Sequence, residues 1–320
     1  MKAAVINKFG DVPRYVDFPD PVAEQDEKLI DVKASVLENF DKMVASGKHY
    51  GSREMFPKFP AIVGHSGIGT TADGQLVGFG LMRCPYGSFA EKTVARQPVP
   101  VPDGIDAALA AALPASVLTS YLPLKYTAKL QPGETVLVNG ATGVTGKIAV
   151  QIAKILGAKK IVATGRNETS LKTVIDLGAD AVIDLKQSDE NLLTAFLDQA
   201  GETGFDIVID FIWGHPAEII MKSFVPKRVG LAKKRIRYVH VGEKAGPVIS
   251  LSGEMIRTSG LEIYGAANIS AEDIPVAMDQ VWEWIKEKKF HIEIEKVPLA
   301  DIENAWQRND LEGKRLVIIP

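Results

Sequence analysis

The sequence predicts an α/β protein in which a small, bent β-domain accompanies a doubly wound domain with a parallel sheet. Its 320 residues are enough for two domains of about 150 residues each. Gly, Pro and Asp break about the first hundred residues into short apolar runs, which is typical of short strands. From Glu134 onward, apolar runs alternate with helical patterns, as they do when helices cover both faces of a parallel sheet.

Strands come first along the chain, and a helix follows them. The first region contains four runs with strand character, which are Ala3 to Ile6, Leu29 to Val32, Leu76 to Phe79 and Glu91 to Val94. From Ala107 to Leu118 the composition shifts to Ala and Leu, which predicts a helix interrupted at Pro114.

Six apolar runs then predict the parallel sheet. They cover residues 135–139, 160–164, 181–184, 206–210, 238–242 and 261–265. The remaining chain predicts a helix, a strand, a shorter helix and a strand, over residues 274–289, 292–295, 299–308 and 315–319. The last two strands resemble the opening region more than the parallel sheet. We therefore predict a discontinuous domain of residues 1–118 and 268–320, with residues 119–267 as the inserted domain.

The composition excludes several classes of protein. Apolar residues make up 46% and charged residues 24%, a balance typical of soluble globular proteins. The net charge of -3 gives no general attraction to nucleic acid or to an anionic membrane. The opening residues have no signal-peptide pattern, and no apolar run reaches the roughly 18 residues of a membrane span. The single cysteine, Cys84, excludes an internal disulfide and a four-cysteine zinc site, so we expect a reduced, cytoplasmic environment.

The strongest local signal is a glycine-rich turn between a strand and a helix. The segment VLVNGATGVTGKIAVQIAKILGA contains Gly140, Gly143 and Gly146. Small residues permit a tight turn and let a diphosphate approach the N–H groups of the helix N-terminus, where the helix dipole is positive. Because the turn opens a series of β–α units, we interpret it as a dinucleotide-binding turn, with Thr142 and Val144 as further contacts. The alternative is that the glycines serve only helix–strand packing.

The end of the second strand of the sheet indicates which dinucleotide binds. An acidic residue about 20 positions beyond the turn would bind the ribose 2′-hydroxyl of NAD. Gly165 and Arg166 stand there instead. A guanidinium binds a 2′-phosphate with paired hydrogen bonds, so the sequence favours NADPH over NADH, with Lys172 as a second candidate cation. The alternative is that Arg166 is only a solvated loop residue.

Motifs spread over nearly all of the chain follow one another in a recognisable order. They are MKAAV, NFDKMVASGKHY, FPAIVGHSGIGT, YGSFAEKTVA, VLTSYLPL, LQPGETVLVNGATGVTG, ATGRN, LGADAVIDL and GKRLVIIP. In this order they resemble the medium-chain dehydrogenase/reductase superfamily, and within it the zinc-independent quinone oxidoreductase-like branch. The resemblance implies a GroES-like β-domain completed by the C-terminal segment, a Rossmann domain, an active site in the cleft between them, and a homodimer.

The same resemblance argues against zinc. Zinc-dependent alcohol dehydrogenases of the superfamily hold the metal with a cysteine, a histidine and a second cysteine, beside a glutamate. In this sequence those positions are taken by Glu38, His65, Ala115 and Ser66 respectively. A catalytic zinc needs three protein ligands and a water, and only one nitrogen ligand and one carboxylate remain. His65 is then either a hydrogen-bonded histidine or a functional group, as a metal ligand or a proton donor.

Without zinc, hydride transfer requires an acceptor that needs little polarisation, such as a quinone or an alkene conjugated to a carbonyl. Hydrogen-bond donors should face the carbonyl oxygen, which gains negative charge as the hydride arrives. Related quinone oxidoreductases carry a tyrosine at the position of Tyr50, which makes its phenol the first candidate donor; the alternative is an aromatic wall of the cleft. Asn39 is the second candidate, although it stands two residues before Asp41 and the family's asparagine stands three before.

The resemblance implies further contacts to the coenzyme. Thr119 matches a threonine that packs beside the nicotinamide in relatives; the alternative is a helix hydroxyl bonded to its own backbone. Val241–Gly242 and Gly265–Ala266 stand at the ends of the fifth and sixth predicted strands, where the switch-point rule places the nicotinamide carboxamide. Glycine is also a common turn residue at strand ends.

The sequence thus predicts a zinc-independent oxidoreductase that transfers hydride from NADPH to a quinone or an α,β-unsaturated carbonyl. We expect a small-molecule substrate, no nucleic-acid partner and no membrane. Two alternatives stay open: a zinc-type alcohol dehydrogenase with a degenerate metal site at Glu38 and His65, and an NADPH-binding sensor that binds RNA and turns over little. The RNA-binding alternative would use a basic cluster of Lys227, Arg228, Lys233, Lys234, Arg235 and Arg237.

Overall fold

The computed structural model describes residues 1–80, 82–226, 232, 234–311 and 313–320. The strands of these residues, numbered along the chain, are β1 Lys2–Ile6, β2 Arg14–Asp17, β3 Lys28–Val36, β4 Ala61–Ile62, β5 Ser66–Thr71, β6 Leu76–Gly80, β7 Lys92–Ala95, β8 Val99–Pro100, β9 Thr135–Asn139, β10 Lys160–Gly165, β11 Ala181–Asp184, β12 Ile207–Asp210, β13 Ile236–His240, β14 Leu261–Gly265, β15 Ile294–Pro298 and β16 Arg315–Ile319.

The helices of the described residues are α1 Asn39–Ala45, α2 Ser52–Met55, α3 Ala107–Ala112, α4 Pro114–Leu122, α5 Val144–Ile155, α6 Glu168–Asp176, α7 Asp189–Ala200, α8 Gly214–Ser223, α9 Gly253–Thr258, α10 Asp273–Lys286 and α11 Ile302–Gln307. A π-helical turn follows α4 at Pro123–Thr127, and a 3-10 turn precedes α11 at Leu299–Asp301.

The chain folds as two compact units, and the first of them is discontinuous in sequence. Unit 1 consists of Met1–Ala115 and Ile292–Pro320, and unit 2 consists of Ser116–His291. The chain therefore returns to unit 1 at Ile292, not at residue 268 as the sequence suggested, because α10 belongs to unit 2. Trp284 of α10 packs edge-on against Tyr121 of α4, with 4.8 Å between ring centroids. The Gln151 side chain accepts a hydrogen bond from the His291 N–H at 2.8 Å.

Unit 2 contains the doubly wound parallel sheet that the sequence predicts. Its strand order is β11-β10-β9-β12-β13-β14, and every neighbouring pair is parallel. The central strands are apolar on both faces because helices cover both, and Leu137, Val162 and Val208 are fully buried. The chain winds outward in opposite directions from β9 and β12, so the topological switch point lies between these two strands.

The strand bounds in unit 2 agree with the sequence to within one residue except at β13. β9, β11 and β14 have the predicted bounds, whereas β13 ends at His240, two residues before the predicted end at Gly242. Val241 and Gly242 follow the strand because both of their N–H groups donate to the Asp210 carbonyl oxygen, at 2.8 and 3.1 Å. This pair of bonds turns the chain towards β12.

Unit 1 is a β-unit that the C-terminal segment completes. One sheet has the order β2-β1-β4, and the other has the order β15-β16-β3-β5-β6-β8 with β7 also paired to β3. β16 pairs antiparallel with β3, with Val317 opposite Val36. Ile6 of β1 and Leu316 of β16 are buried in one apolar cluster with Trp306 of α11. The last two strands therefore belong with the opening region, as their composition predicted.

One segment of the described chain is long and apolar enough to cross a membrane by length and composition. It spans Ala107–Thr127, 21 residues with a mean hydropathy of 1.5, so the expectation that no apolar run reaches that length was wrong. Pro114 divides the segment into α3 and α4, and the helical turns continue past it through α4 and the π-helical turn. Of this segment, 56% is buried inside the molecule, as in a helix that forms part of a protein core.

Candidate active site

His65 lies in a cluster of ionisable side chains in unit 1. Its Nδ1 is 2.7 Å from Asp41 Oδ1, and its Nε2 is 3.6 Å from Glu38 Oε2. Arg315 donates a hydrogen bond from its guanidinium to Glu38 Oε1 at 2.9 Å. Burial lowers the pKa of His65 and the Asp41 and Glu38 carboxylates raise it, and the net shift of the pKa is upward. The cluster therefore favours an imidazolium between two carboxylates.

The start of α1 fixes the two carboxylates of this cluster. Asp41 lies in the first turn of the helix, and its Oδ2 accepts a hydrogen bond from the Glu38 N–H at 2.9 Å, which caps the helix. The Asp41 side chain is 1% exposed, and its Oδ1 also accepts the His65 N–H at 3.2 Å. One side chain thus caps the helix and orients the imidazole ring of His65.

Aromatic rings connect His65 to the neighbourhood of Tyr50. The Phe40 ring lies 4.8 Å from the His65 ring and 5.2 Å from the His49 ring, edge-on to both. The His49 ring lies 4.1 Å from the Tyr50 ring. The Tyr50 side chain is 97% exposed, and Asn39, the first residue of α1, is also exposed. The three candidate donors of unit 1 therefore lie in one region, with both Tyr50 and Asn39 open to a ligand.

The side chains at the expected metal position do not fit zinc. Among the residues that the structure describes, no group of three or more His, Cys, Asp or Glu could hold a metal ion. The Glu38 carboxylate is engaged by Arg315 and the Asp41 carboxylate by His65. A tetrahedral zinc site needs four donors that converge on one point, and this ion-pair cluster does not supply them.

The glycine turn of unit 2 is open where a diphosphate would approach. α5 begins at Val144 with Gly143 as its N-cap, and this glycine has no side chain that could cap the first N–H groups of the helix. A Cβ added to Gly143 would meet no protein atom within 4 Å, whereas one added to Gly146 would lie 2.3 Å from the Gly140 carbonyl oxygen. Gly140 has a φ of 86°, which favours glycine. Gly146 thus serves close packing, and Gly143 leaves space at a positive helix terminus.

Arg166 lies immediately after the second strand of the sheet. β10 ends at Gly165, where a Cβ would lie 2.2 Å from Thr142 Cγ2, so this strand end contacts the glycine turn. Arg166 is exposed and makes no hydrogen bond or ion pair with the other described residues. Lys172 is instead paired with Glu168 at 2.9 Å on the surface of α6. The position favours Arg166 as the cation that would face a 2′-phosphate.

The remaining coenzyme candidates lie around the same edge of the sheet. Val241 and Gly242 follow β13, and Ala266 follows Gly265 with its N–H donating to the His240 carbonyl oxygen at 2.9 Å. Thr119 is exposed on α4, and the hydroxyl of the adjacent Ser120 donates to the Thr145 carbonyl oxygen of α5 at 3.0 Å. This bond places that part of α4 beside the glycine turn.

Two features of these regions were not anticipated from the sequence. One is the Arg315–Glu38 pair, which joins positions 277 residues apart. The other is a buried polar group around Asn139 and Asp210, which are the last residues of β9 and β12. A polar residue that ends an otherwise apolar run was the available signal for the second feature, since buried polar groups need partners.

The basic cluster contains fewer free cations than its sequence suggests. Lys227, Arg228 and Lys233 lie outside the described residues. Lys234 pairs with Asp206 at 2.7 Å and Arg235 with Glu262 at 3.3 Å, and Arg237 pairs with Glu134. These internal ion pairs weaken the case for an RNA-binding surface formed by the described part of the cluster.

Known proteins are similar to this chain in sequence and in fold. The family model described as zinc-binding dehydrogenase matches residues 144–283, which lie in unit 2. A probable NADPH-dependent quinone reductase, tdiC of Emericella nidulans, is 28% identical over 204 residues, covering 59% of this chain and 54% of that protein. The structure of Escherichia coli quinone oxidoreductase complexed with NADPH has a TM-score of 0.83 at 20% identity and covers 100% of both chains.

The chain is similar to members of the quinone oxidoreductase-like branch of the medium-chain dehydrogenase/reductase superfamily. At this identity, the match to the solved structure shows that the chain shares that fold. An NAD-dependent alcohol dehydrogenase of Sulfolobus acidocaldarius is 26% identical over 312 residues, covering 85% of this chain and 86% of that protein.

The chain spans only part of other relatives. It covers 5% of the hybrid PKS-NRPS synthetase pynA of Aspergillus niger and about half of the reductase tdiC. The zinc-binding family model matches none of Glu38, His65, Ser66 and Ala115, which lie before its first matched residue. Its description therefore carries no information about a metal in unit 1 of this chain.

Proposed function

We propose that the chain is a zinc-independent oxidoreductase that transfers hydride from NADPH to a quinone or an α,β-unsaturated carbonyl compound. The observation that carries the proposal is the open glycine turn with Arg166 at the end of the adjacent strand. The coenzyme is NADPH: the turn fits a diphosphate at the N-terminus of α5, and Arg166 fits a 2′-phosphate. Similarity to proteins whose names specify NADPH supports the same coenzyme.

NADPH supplies the hydride when it is bound at the C-terminal edge of the sheet of unit 2. Residues around Gly143 would bind its diphosphate, and the backbone at Val241–Gly242 and Gly265–Ala266 would bind the carboxamide. Thr119 would pack beside the nicotinamide ring. These residues orient the ring, and orientation lowers the entropic part of the barrier to transfer.

Unit 1 carries the side chains that we assign to the acceptor. The Tyr50 hydroxyl would donate a hydrogen bond to the carbonyl oxygen of the acceptor and then supply a proton to it. Asn39 would add a second donor to the developing negative charge. The His65 imidazolium, oriented by Asp41, is a further proton source in the same region of unit 1.

Removal of the guanidinium tests the coenzyme assignment. We expect Arg166→Ala to raise the KM for NADPH about tenfold to a hundredfold, because hydrogen bonds to charged groups contribute about 1.5–3 kcal/mol. The KM for NADH should not change. Initial rates with both coenzymes and one quinone give the measurement, and Lys172→Ala, which breaks an exposed pair, is the control with a smaller effect. An equal loss with NADPH and NADH would contradict the assignment.

A phenylalanine at position 50 tests the proton donor. We expect Tyr50→Phe to lower kcat about a hundredfold with an unchanged KM for NADPH, because general-acid groups contribute roughly 10²- to 10⁴-fold. Tyr15→Phe, which changes another tyrosine of unit 1, serves as the matched control and should keep the wild-type rate. If Tyr50→Phe keeps its rate and His65→Gln loses it, His65 is the donor.

The alternative functions make different predictions in the same assays. A zinc-type alcohol dehydrogenase would copurify with about one equivalent of zinc and lose activity with a chelator. A sensor with little turnover would not oxidise NADPH measurably, whichever quinone or enal of a panel is supplied as the acceptor. RNA binding by such a sensor would weaken steeply as salt concentration rises.

A further inference from the structure

A chain of buried polar side chains crosses four strands of the unit 2 sheet near their C-terminal ends. Its members are Thr164 of β10, Asn139 of β9, Asp210 of β12 and Tyr238 of β13, and each is 0% exposed. The Thr164 hydroxyl donates to Asn139 Oδ1 at 2.7 Å, and Asn139 Nδ2 donates to Asp210 Oδ1 at 2.8 Å. The Tyr238 hydroxyl donates to Asp210 Oδ2 at 2.5 Å. We call these four residues the polar ladder.

Asp210 is the residue on which the polar ladder converges. Its Oδ1 accepts hydrogen bonds from Asn139 and from the backbone N–H groups of Ile212 and Trp213, both at 2.9 Å. Burial raises the pKa of Asp210, the hydrogen bonds from these donors and Tyr238 lower it, and the net shift of the pKa is upward. A buried carboxylate is costly, and an apolar residue would serve strand packing at lower cost. Strand packing therefore does not explain a carboxylate at position 210, and its hydrogen bonds to the loop indicate another role.

Two members of the polar ladder hold two different loops. The Gly140 N–H donates to the Thr164 hydroxyl oxygen at 2.9 Å, which fixes the first residue of the glycine turn. Asp210 holds Trp213, whose φ of 53° lies in the left-handed region that a tryptophan seldom adopts. The Ala245 N–H donates to the Ile212 carbonyl oxygen at 2.7 Å, so this loop also restrains the loop that follows β13.

The loops held by the polar ladder flank the topological switch point. β9 and β12 are neighbours there, and Asn139 and Asp210 are directly opposite in register. A Cβ added to Gly140 would lie 2.6 Å from Ile212 Cγ2, so the glycine turn and the loop after β12 are in close contact. A dinucleotide that binds outside the carboxyl ends of the strands at a switch point would contact both loops.

We propose that Asp210 is a positioning residue for the coenzyme. It sets the spacing between the glycine turn, through Asn139 and Thr164, and the Ile212–Trp213 loop, to which it is bonded directly. This inference rests on the proposed function, since it assumes that NADPH binds at the switch point. It adds to that function a group that does not touch the coenzyme and yet governs the geometry of its site.

Replacement of the carboxylate by an amide tests the role without a change of shape. We expect Asp210→Asn to raise the Kd for NADPH about tenfold, because hydrogen bonds to a charged acceptor are roughly twice as strong as neutral ones. Trp213 provides a spectroscopic readout that needs no activity. Its fluorescence, obtained as the difference from the matching Trp213→Phe protein, should change in Asp210→Asn because the loop is held less firmly.

Tyr238→Phe is the matched control. It removes one donor to the same buried carboxylate and breaks no hydrogen bond to either loop, and phenylalanine keeps the ring that packs edge-on against Trp213 at 5.9 Å. We expect a lower midpoint of thermal unfolding with an unchanged Kd for NADPH and unchanged Trp213 fluorescence. Thr164→Val, a change of similar volume, should raise the Kd for NADPH because it releases the Gly140 N–H, and it should leave Trp213 fluorescence unchanged.

The outcomes separate this inference from the proposed function. If wild-type protein does not bind NADPH, the proposed function is overturned, and the positioning role with it. If wild type binds NADPH while Asp210→Asn and Tyr238→Phe weaken binding equally, Asp210 has only a structural role and the inference alone is overturned. Unchanged affinity and unchanged Trp213 fluorescence in Asp210→Asn would overturn it as well.

Discussion

Gly146→Ala is expected to destabilise unit 2 by about 3 kcal/mol, at the upper end of what a forced insertion into a packed interior costs. The added Cβ would lie 2.3 Å from the Gly140 carbonyl oxygen and 2.6 Å from the Ala141 Cα. Both atoms belong to the backbone of the turn, so no side-chain rotation relieves the clash. α5 would have to move away from β9. Urea denaturation followed by circular dichroism measures the loss.

Gly143→Ala is the control for this substitution within the same turn. Its Cβ would meet no protein atom within 4 Å, and the backbone at Gly143, with φ of -79° and ψ of 168°, suits alanine. We expect an unchanged free energy of unfolding and a weaker affinity for NADPH, because the methyl group would occupy space assigned to the diphosphate. A stable Gly146→Ala protein, or a Gly143→Ala protein that binds NADPH as wild type does, would contradict the interpretation of the turn.

Arg315→Met is expected to destabilise unit 1 by about 3 kcal/mol at neutral pH, since removal of one partner from a buried ion pair leaves the other charge uncompensated. The Arg315 side chain is 9% exposed and that of Glu38 is 20% exposed. Without the guanidinium, His65 still faces the Glu38 and Asp41 carboxylates. Methionine preserves most of the apolar stem of the arginine, so the decrease in the free energy of unfolding measures the effect of removing the guanidinium charge.

The loss of stability in Arg315→Met should depend on pH because His65 titrates. The pKa of His65 is raised in the folded protein. Its contribution to the free energy of unfolding is therefore fully present below the unfolded pKa of about 6.5, and it is lost as pH rises through the folded pKa. Arg315 lowers the pKa of His65, and its removal raises that pKa further. The free energy of unfolding of the variant should therefore be closest to that of wild type at acidic pH and furthest below it at alkaline pH.

Urea denaturation of both proteins from acidic to alkaline pH measures this dependence. Arg14→Met is the control, because it breaks an exposed pair with Glu303, with side chains 71% and 41% exposed. Exposed pairs contribute about 0–1 kcal/mol, so the control should stay close to wild type at every pH. A deficit of Arg315→Met that is the same at every pH would show that His65 does not compensate the carboxylates.

The parallel sheet could be predicted because its signal is local. β9 contains a continuous apolar run, and helical patterns separate the first four strands, so their bounds needed no knowledge of distant contacts. The unit to which α10 belongs could not be predicted in this way. Its place depends on Trp284 meeting Tyr121, and an apolar helix face does not specify its partner. The boundary was therefore misplaced where assignment required a contact between distant segments.

In the candidate site, too, the features with a local signal could be predicted and those that join distant segments could not. Gly140, Gly143 and Gly146 form one contiguous motif, and their spacing between a strand and a helix was enough to predict the turn. The polar ladder joins Asn139 to Asp210 over 71 residues, and that pairing follows only from the strand order. Glu38 was anticipated as a replacement for a metal ligand, but its partner Arg315 lies at the far end of the chain.

The pairing of β16 with β3 has a consequence for biosynthesis. β3 has no neighbour on the β16 side until residues 315–319 have left the ribosome, whereas residues 116–291 are all available earlier. Domains generally fold as units while the chain is being made. We expect the nascent chain to fold from the middle outward, with unit 2 acquiring protease resistance first and the two ends of the polypeptide joining last.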